Sequence, residues 1–420
     1  MHIIGQRIID WIGHTSAKPL FQASSSPWEL LMKFVLTGYG SRGDVEPCVA
    51  LGIELQHRGH HVRLAVPPAA VRRVNALGLS ASAYGADLSA LRPLLQDASF
   101  ILGIADKMND SHAVLHEVME FVMPIWTAKT AQLIELANDA DLLVAGITEQ
   151  EIAANVAESC RISVAALHLF PAHVLAQSQF RRQVLSLANA AQRRALGLPE
   201  ASKVRTTPLE IQAYDLCCFP ELAVGWTQPN RRPFVGALRL ASSRSTDSET
   251  LAWMADGTPP IYFGFGSTPI GSLASLVAII GVACAEIGER ALICTGEDTV
   301  TRVSHASHVK IVGAVDHAEI FPKCRAVVHH GGAGTTAAGL RAGVPTLILW
   351  FAHDQPAWAA AVERLKVGAG RPFAATDTSS LVADLRRVLT AGYFARACEV
   401  GDQMVTPAQS VSSAANLLES

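Results

Sequence analysis

The 420-residue sequence has no C-x-x-C pair; its eight cysteines are scattered at Cys48, Cys160, Cys217, Cys218, Cys284, Cys294, Cys324 and Cys398. Such spacing offers neither a zinc knuckle nor a disulfide framework, and it fits a reducing, cytoplasmic setting. An excess of one charge sign is also missing. The formal net charge is −3, which gives no general pull toward nucleic acid. Long hydrophobic runs are absent too. The longest candidate, Leu273 to Cys284, is cut by Glu286, well short of the roughly 20 residues that span a bilayer. Residues 1–31 do not read as a secretory signal, because the apolar part of "IIGQRIIDWIG" is short and broken by Arg7 and Asp10. They read as a non-core extension, consistent with an upstream start codon.

What is present is core-forming material. Half of the residues are hydrophobic and 17% are charged, and a chain of this length favours two domains over one. The first half alternates strand-like runs (Phe34–Leu36, Val62–Val66, Leu142–Ala145, Ile162–Leu167) with helical stretches such as Val49–Arg58 and Val114–Ala137. The polar stretch "ASSRSTDSET", 241–250, then reads as a linker. After it the pattern restarts, with strands at 261–267, 291–294, 310–314, 326–330 and 346–350 and an apolar helix at 273–287. The expectation is α/β: two Rossmann-like domains, 32–240 and 251–407, with parallel sheets facing a central cleft. The last segment, 408–420, reads as a helix packing back on the first domain.

Two glycine loops compete for a phosphate. The first, "GYGSRGD" at 38–44, spells G-x-G-x-x-G after a strand, the dinucleotide fingerprint. Its context argues against that use. Asp44 and Glu46 follow the last glycine, where they would repel a pyrophosphate. Pro47 suggests a helix starting near Glu46, with Asp44 as a simple N-cap. The second strand, "HHVRLAVPP", ends without the acidic residue that would bond a ribose. An NAD enzyme is therefore disfavoured.

The second loop sits in "AVVHHGGAGTTAAGLRAGVPTLILWFAHDQP", 326–356. A strand ends in His329-His330, glycines follow, and Thr335-Thr336 open a helix over 337–342. Free amides, a helix dipole, hydroxyls and an imidazole together suit a diphosphate. The next strand ends in Asp354-Gln355, and a carboxylate beside an amide suits sugar hydroxyls at the carboxyl edge of the sheet.

This run resembles the nucleotide-sugar signature of family 1 glycosyltransferases. "GYGSRGDVEP" is similar to the first loop of the bacterial and sterol branch, and "IYFGFGS", "VGAVDHAEIFPKCRAVVHHGG" and "AGVPTLILWFAHDQP" follow in the matching order. The nearest likeness is to bacterial enzymes acting on glycopeptides and on mycobacterial-type glycolipids. The resemblance implies the GT-B fold, an acceptor on the first domain, a nucleotide sugar on the second, inversion at the anomeric carbon, no metal and no other cofactor. It implies Asp44 as catalytic base. Ser267, His330, Gly332, Gly334 and Thr335 would hold the diphosphate, and Asp354 and Gln355 the donor sugar. His168 and His173 flank "LFPA" near the expected acceptor cleft and are candidate acceptor contacts.

Two departures bear on the donor. Plant relatives place a glutamate for the ribose hydroxyls where this chain has Ala338, which leans toward a dTDP-sugar over a UDP-sugar. An aromatic that stacks on the base in many relatives is Glu297 here. The partners expected are a nucleotide-sugar donor and a small-molecule or lipid acceptor, with peripheral contact at the inner membrane face and no nucleic acid. The competing readings are a UDP-glucose:sterol-type glucosyltransferase and, in another class, a non-catalytic nucleotide-sugar-binding protein. The D-x-D at 139–141 and the histidines at 57, 60 and 61 read as solvated turn and helix-end features.

Overall fold

The computed structural model of the chain describes residues 31–87, 111–175, 178–200, 209–224, 226, 228–240, 246–266, 268, 272–296 and 304–420. Ser267 and Glu297 lie outside the described residues. From Met32 onward the chain forms one compact body.

Twelve strands are described: β1 Lys33–Thr37, β2 His61–Val66, β3 Ser80–Ala83, β4 Leu142–Gly146, β5 Ser163–His168, β6 Leu209–Gln212, β7 Ile261–Gly264, β8 Ala291–Cys294, β9 Val309–Val312, β10 Ala326–His329, β11 Thr346–Trp350 and β12 Gly368–Pro372. The longer helices are α1 Arg42–His57, α2 Ser111–Ala137, α3 Gln150–Cys160, α4 Gln179–Ala195, α5 Leu273–Ile287, α6 Ala333–Arg341, α7 Gln355–Arg364, α8 Thr378–Val388, α9 Ala391–Gly401 and α10 Pro407–Glu419. The strands make two six-stranded sheets, ordered β3-β2-β1-β4-β5-β6 and β12-β11-β10-β7-β8-β9. Every pairing between these strands is parallel. Counted from its own first strand, the second sheet has the same 3-2-1-4-5-6 order as the first. Each half is therefore a doubly wound unit, with its crevice where the strand order reverses.

The central strands were legible because they are apolar on both faces. In β4 and β10 every residue is buried, as expected of parallel strands covered by helices on both sides. The edge strands β3 (SASA), β6 (LEIQ) and β12 (GAGRP) carry no such run and are additions to the sequence reading. One expected boundary moves: α1 starts at Arg42, four residues before Glu46, with Ser41 as its N-cap. Gly43 is thus inside the helix, and Pro47 lies in its second turn. Likewise α6 starts at Ala333, ahead of Thr335. Part of the expected linker is helical, from Ser248 to Ala255.

The two halves meet in a seam of aromatic rings and buried polar groups. Trp358 of α7 packs edge-on against Tyr214 and Phe219, which follow β6. Arg341, at the end of α6, donates to Ala237 O and Val405 O, each at 2.8 Å. Buried Asp215 accepts from the Val405 amide at 2.8 Å. One apolar cluster runs across the seam, from Leu36 and Leu51 to Trp358, Val362 and Leu418.

The last helix, α10, returns to the first half and packs on α1. Arg58, just past α1, donates to Asn416 Oδ1 at 2.6 Å, Glu419 Oε2 at 2.7 Å and Ser412 Oγ at 2.9 Å, while also bonding Glu54 within its own helix. Val411, Ala414, Ala415 and Leu418 bury beneath these bonds. Arg58→Ala should therefore lower the stability of the whole chain by about 2 kcal/mol, since it strips several charge-assisted bonds from a half-buried junction. Urea denaturation followed by tryptophan fluorescence checks this; an unchanged midpoint would mean that α10 is held by apolar contact alone.

Candidate active site

Both glycine loops lie at the reversal points of their sheets. The loop after β1 and the turn after β4 meet at one. The loops after β7 and β10 meet at the other. The two helix starts they deliver differ in one physical respect.

The start of α1 is capped by its own side chains. Ser41 Oγ accepts from the Gly43 amide at 3.2 Å, and Asp44 Oδ2 accepts from the Ser41 amide at 2.6 Å and its hydroxyl at 3.0 Å. This is a reciprocal capping box, with Asp44 as the third helical residue. The expectation of Asp44 as a plain N-cap is corrected: Ser41 holds that position. Asp44 Oδ2 is thus engaged by Ser41. Gly40, at φ +144°, allows this approach, because a Cβ there would stand 2.2 Å from Asp44 Oδ2. With its amides taken and a carboxylate in front of them, this helix start is unsuited to a pyrophosphate.

The start of α6 is open. Its N-cap is Gly332, with no side-chain cap. The first intrahelical bond is Thr336 N to Gly332 O, so the amides of Ala333, Gly334 and Thr335 have no partner within the helix. The His330 ring lies over this opening; a Cβ on Gly332 would be 2.6 Å from its Nε2, and one on Gly266 2.9 Å from its Cε1. Burial lowers the His330 pKa against the pull of the Gly264 backbone, so the ring is neutral near pH 7. Thr335 is half-buried at the mouth, and a Cβ on Gly334 would meet nothing. His330, Gly332, Gly334 and Thr335 are therefore brought together around uncapped amides, the arrangement that binds anions.

Asp354 and Gln355 open α7 beside this loop. Asp354 Oδ2 accepts from Trp358 Nε1 at 3.0 Å, and Gln355 Oε1 accepts from the Phe351 and Ala352 amides at 2.7 and 3.2 Å. Burial pushes the Asp354 carboxyl up to about 6; its backbone and Trp358 bonds oppose this, and the charge of Asp44 adds to it. Burial raises Asp44 as well, with the charge of Glu149 contributing. The two carboxyls, one from each half, thus act on each other across the cleft. Ala338 lies in the buried apolar cluster with Tyr262, Val312 and Phe321.

The histidine pair is split. His173 is exposed on a short 3-10 turn. His168 is only 4% exposed and points at Glu210, 3.8 Å away, itself paired with Arg232. Burial lowers its pKa to about 4, so it is a neutral interior ring and not a surface contact for an acceptor.

Several participants escaped the sequence reading. Glu149, fully buried at the start of α3, accepts from Tyr84 OH at 2.6 Å and Lys129 Nζ at 2.9 Å. The same ammonium lies 3.3 Å from the centre of the Tyr39 ring in the first loop. His317 stacks on Phe321 and meets Tyr262 OH at 3.2 Å. Burial lowers its pKa to about 3, helped by the charges of Arg239 and Arg42. Lys129 and Glu149 are 20 residues apart, on a helix and a strand-end turn, and no local pattern announces the pair. Among the described residues, no group of three His, Cys, Asp or Glu side chains is placed to hold a metal, and no helix is long and apolar enough to cross a membrane.

Two doubly wound units with facing crevices, an open helix start on one side and a buried carboxylate on the other, define a GT-B enzyme that handles a phosphorylated donor. Known proteins agree. Residues 34–91 match the glycosyltransferase family 28 N-terminal domain, and residues 285–418 match the erythromycin biosynthesis protein CIII-like C-terminal domain. The chain is 50% identical over 414 residues to the uncharacterized glycosyltransferase Rv1524 of Mycobacterium tuberculosis, covering 92% of this chain and 98% of that one. It is 28% identical over 416 residues to glycosyltransferase GtfE of Amycolatopsis orientalis, covering 92% and 97%. The crystal structure of glycosyltransferase VinC in complex with dTDP superposes with a TM-score of 0.67 at 19% identity, over 92% of this chain and 98% of that one. The chain belongs to the family 1 glycosyltransferases of GT-B fold and is a nucleotide-sugar-dependent transferase.

Two outcomes follow from the geometry. Gly332→Ala keeps an ordinary backbone (φ −62°, ψ 137°) but forces the His330 ring aside, so nucleoside diphosphate affinity should fall about tenfold, the loss of one good hydrogen bond, while the melting temperature holds. Calorimetric titration against UDP and dTDP reads it. In Asp44→Asn, the Asp354 carboxyl should titrate below about 6, since one negative neighbour is gone. Its raised pKa means that ionisation in place costs stability as pH climbs from about 4 to about 6. Carbon-13 titration of the Asp354 carboxyl in both proteins checks the shift; an unmoved midpoint would separate the two carboxyls.

Proposed function

We propose that this transferase moves a hexose or deoxyhexose from a dTDP-sugar, in preference to a UDP-sugar, to a hydroxyl of an apolar acceptor, with inversion and without a metal ion. The observation that carries the reading is the pairing of Asp44 with the uncapped start of α6, brought to one cleft by the seam around Trp358. The acceptor hydroxyl gives its proton to the Asp44 carboxylate as its oxygen attacks the anomeric carbon. The bond from that carbon to the diphosphate breaks on the opposite side, and a single displacement inverts the centre. An ordinary alcohol is too weak an acid to ionise first, so proton transfer accompanies bond formation. Burial and the neighbouring charge of Glu149 make Asp44 more basic than a surface aspartate.

The leaving diphosphate gathers charge in the transition state. The amides of Ala333, Gly334 and Thr335, the helix dipole and the His330 ring meet it there, preorganised and partly shielded from water. Ser267 belongs to this set by sequence motif alone. Asp354 and Gln355 take the sugar hydroxyls, with Gln355 already pinned by two backbone amides.

Donor choice is supported by Ala338, which brings no carboxylate for a ribose 2′-hydroxyl, and by the dTDP bound to VinC. Acceptor class is supported by the partly buried apolar side chains Val114, Met119 and Val122 of α2, which pack on a small core of Leu115, Val118, Phe180 and Val184. The mycobacterial setting of the similar chains fits a lipid-like acceptor, with the enzyme working at the inner membrane face.

One experiment tests the reading. The wild-type chain and Asp44→Asn are titrated with dTDP and UDP and assayed for release of either diphosphate from its glucosyl donor. The variant should lose turnover by about a thousandfold, within the range of a general base, and bind both nucleotides as before. dTDP should bind more tightly than UDP. Unchanged turnover would remove Asp44 from the chemistry, and a UDP preference would move the donor to the glucosyl and sterol-type class.

A further inference from the structure

Arg181 is the third residue of α4, on the first-half side of the cleft. It is half-buried, its Nε is fully enclosed, and the guanidinium makes no hydrogen bond or ion pair among the described residues. Other enclosed arginines are matched. Arg193 pairs with Glu158, Arg239 with Asp316, Arg371 with Asp384, and Arg341 bonds two carbonyls. Arginine cannot shed its charge in a protein, and an enclosed donor left without a partner costs stability. A residue held in that condition by a folded wall is one that awaits an anion.

Its surroundings narrow the anion's place. Phe180 before it and Val184 one turn on are buried against Leu115 and Val118, so the cation rises from an apolar wall. Across from it lies the turn before Asp354. His353 there has a left-handed backbone, φ +61°, rare for a residue with a Cβ. Burial and the charge of Arg181 both lower the His353 pKa, so the guanidinium is felt at the residue before Asp354. Asp354 is bonded instead to Trp358, and Asp44 to Ser41.

We propose that Arg181 binds an oxyanion, a carboxylate or a phosphate, carried by an otherwise apolar acceptor. The inference rests on the glycosyltransferase reading of the cleft and deepens its acceptor class. The acceptor is then an acidic amphiphile: its chain lies on the α2–α4 wall, its acid on the guanidinium, and its hydroxyl reaches Asp44. A guanidinium suits either oxyanion because its fork of N–H donors matches two oxygens at once.

The test compares the full chain with Arg181→Met, which keeps an apolar stem and loses the charge. Thermal denaturation is run with UDP present, in sodium phosphate and in sodium chloride of equal ionic strength. Phosphate should raise the wild-type midpoint by about 2 °C over chloride. The variant should lose that increment and, in chloride, melt no lower than wild type. Decyl phosphate should bind wild type about tenfold more tightly than the variant, the worth of one charge-assisted bond, and decanol should bind both alike. Absence of a phosphate increment in wild type, or an increment kept by the variant, overturns the proposal. Weaker UDP binding in the variant would assign Arg181 to the donor diphosphate, and a loss confined to UDP-glucuronate against UDP-glucose would assign it to an acidic donor sugar; either result overturns the acceptor assignment. Failure of UDP to bind at all would sink the nucleotide-sugar reading and leave the phosphate comparison standing.

Discussion

The hydrogen bond from Trp358 Nε1 to Asp354 Oδ2 is the contact on which the cleft depends. The indole ring is wedged against Tyr214 and Phe219 of the first half, and its N–H holds the carboxylate of the second. Arg364, on the same helix, donates to Cys218 O across the same seam. Asp354 is thus oriented by the packing that sets the two sheets against each other. Any change in that packing is felt at Asp354 first. Aromatic rings suit the task, because each offers a large apolar face and the indole adds one directed donor.

The two glycine loops show how one fold gives opposite chemistry at equivalent places. Both follow the first or fourth strand of a doubly wound unit, and both lead into a helix. In one, Ser41 and Asp44 close the helix start and put a carboxylate in the cleft. In the other, Gly332 leaves three amides open and His330 covers them. A capped carboxylate and a row of open amides arise from the same geometry, and the difference lies in two or three side chains at the cap. The buried Lys129–Glu149 pair stands behind the first loop with Tyr39 and Tyr84, and its negative end contributes to the raised pKa of Asp44. At the second loop the buried histidines are neutral, and the open amides present the positive end of the helix dipole.

The sequence analysis singled out those parts of the candidate site that are local along the chain. A strand, a glycine run and a helix are contiguous, so the cradle after β10 and the Asp354-Gln355 pair could be seen in one quoted stretch. Cap detail was misjudged by a few residues, because Pro47 looks like a first-turn proline yet lies one turn further in. His168 was misplaced for a related reason. A histidine at a strand end looks exposed until β6, an edge strand with no apolar run, supplies Glu210 beside it.

The central strands and the two glycine loops were within reach of the sequence alone, because hydrophobic runs and glycine spacing are properties of neighbours along the chain. The fold class followed from them. What the tertiary structure decided is which charges meet. The charge of Asp44 reaches Asp354, Lys129 finds Glu149, and Arg181 finds no acid among the described residues. Charge pairing depends on distance through space and on the exclusion of water, and neither is written in the order of residues.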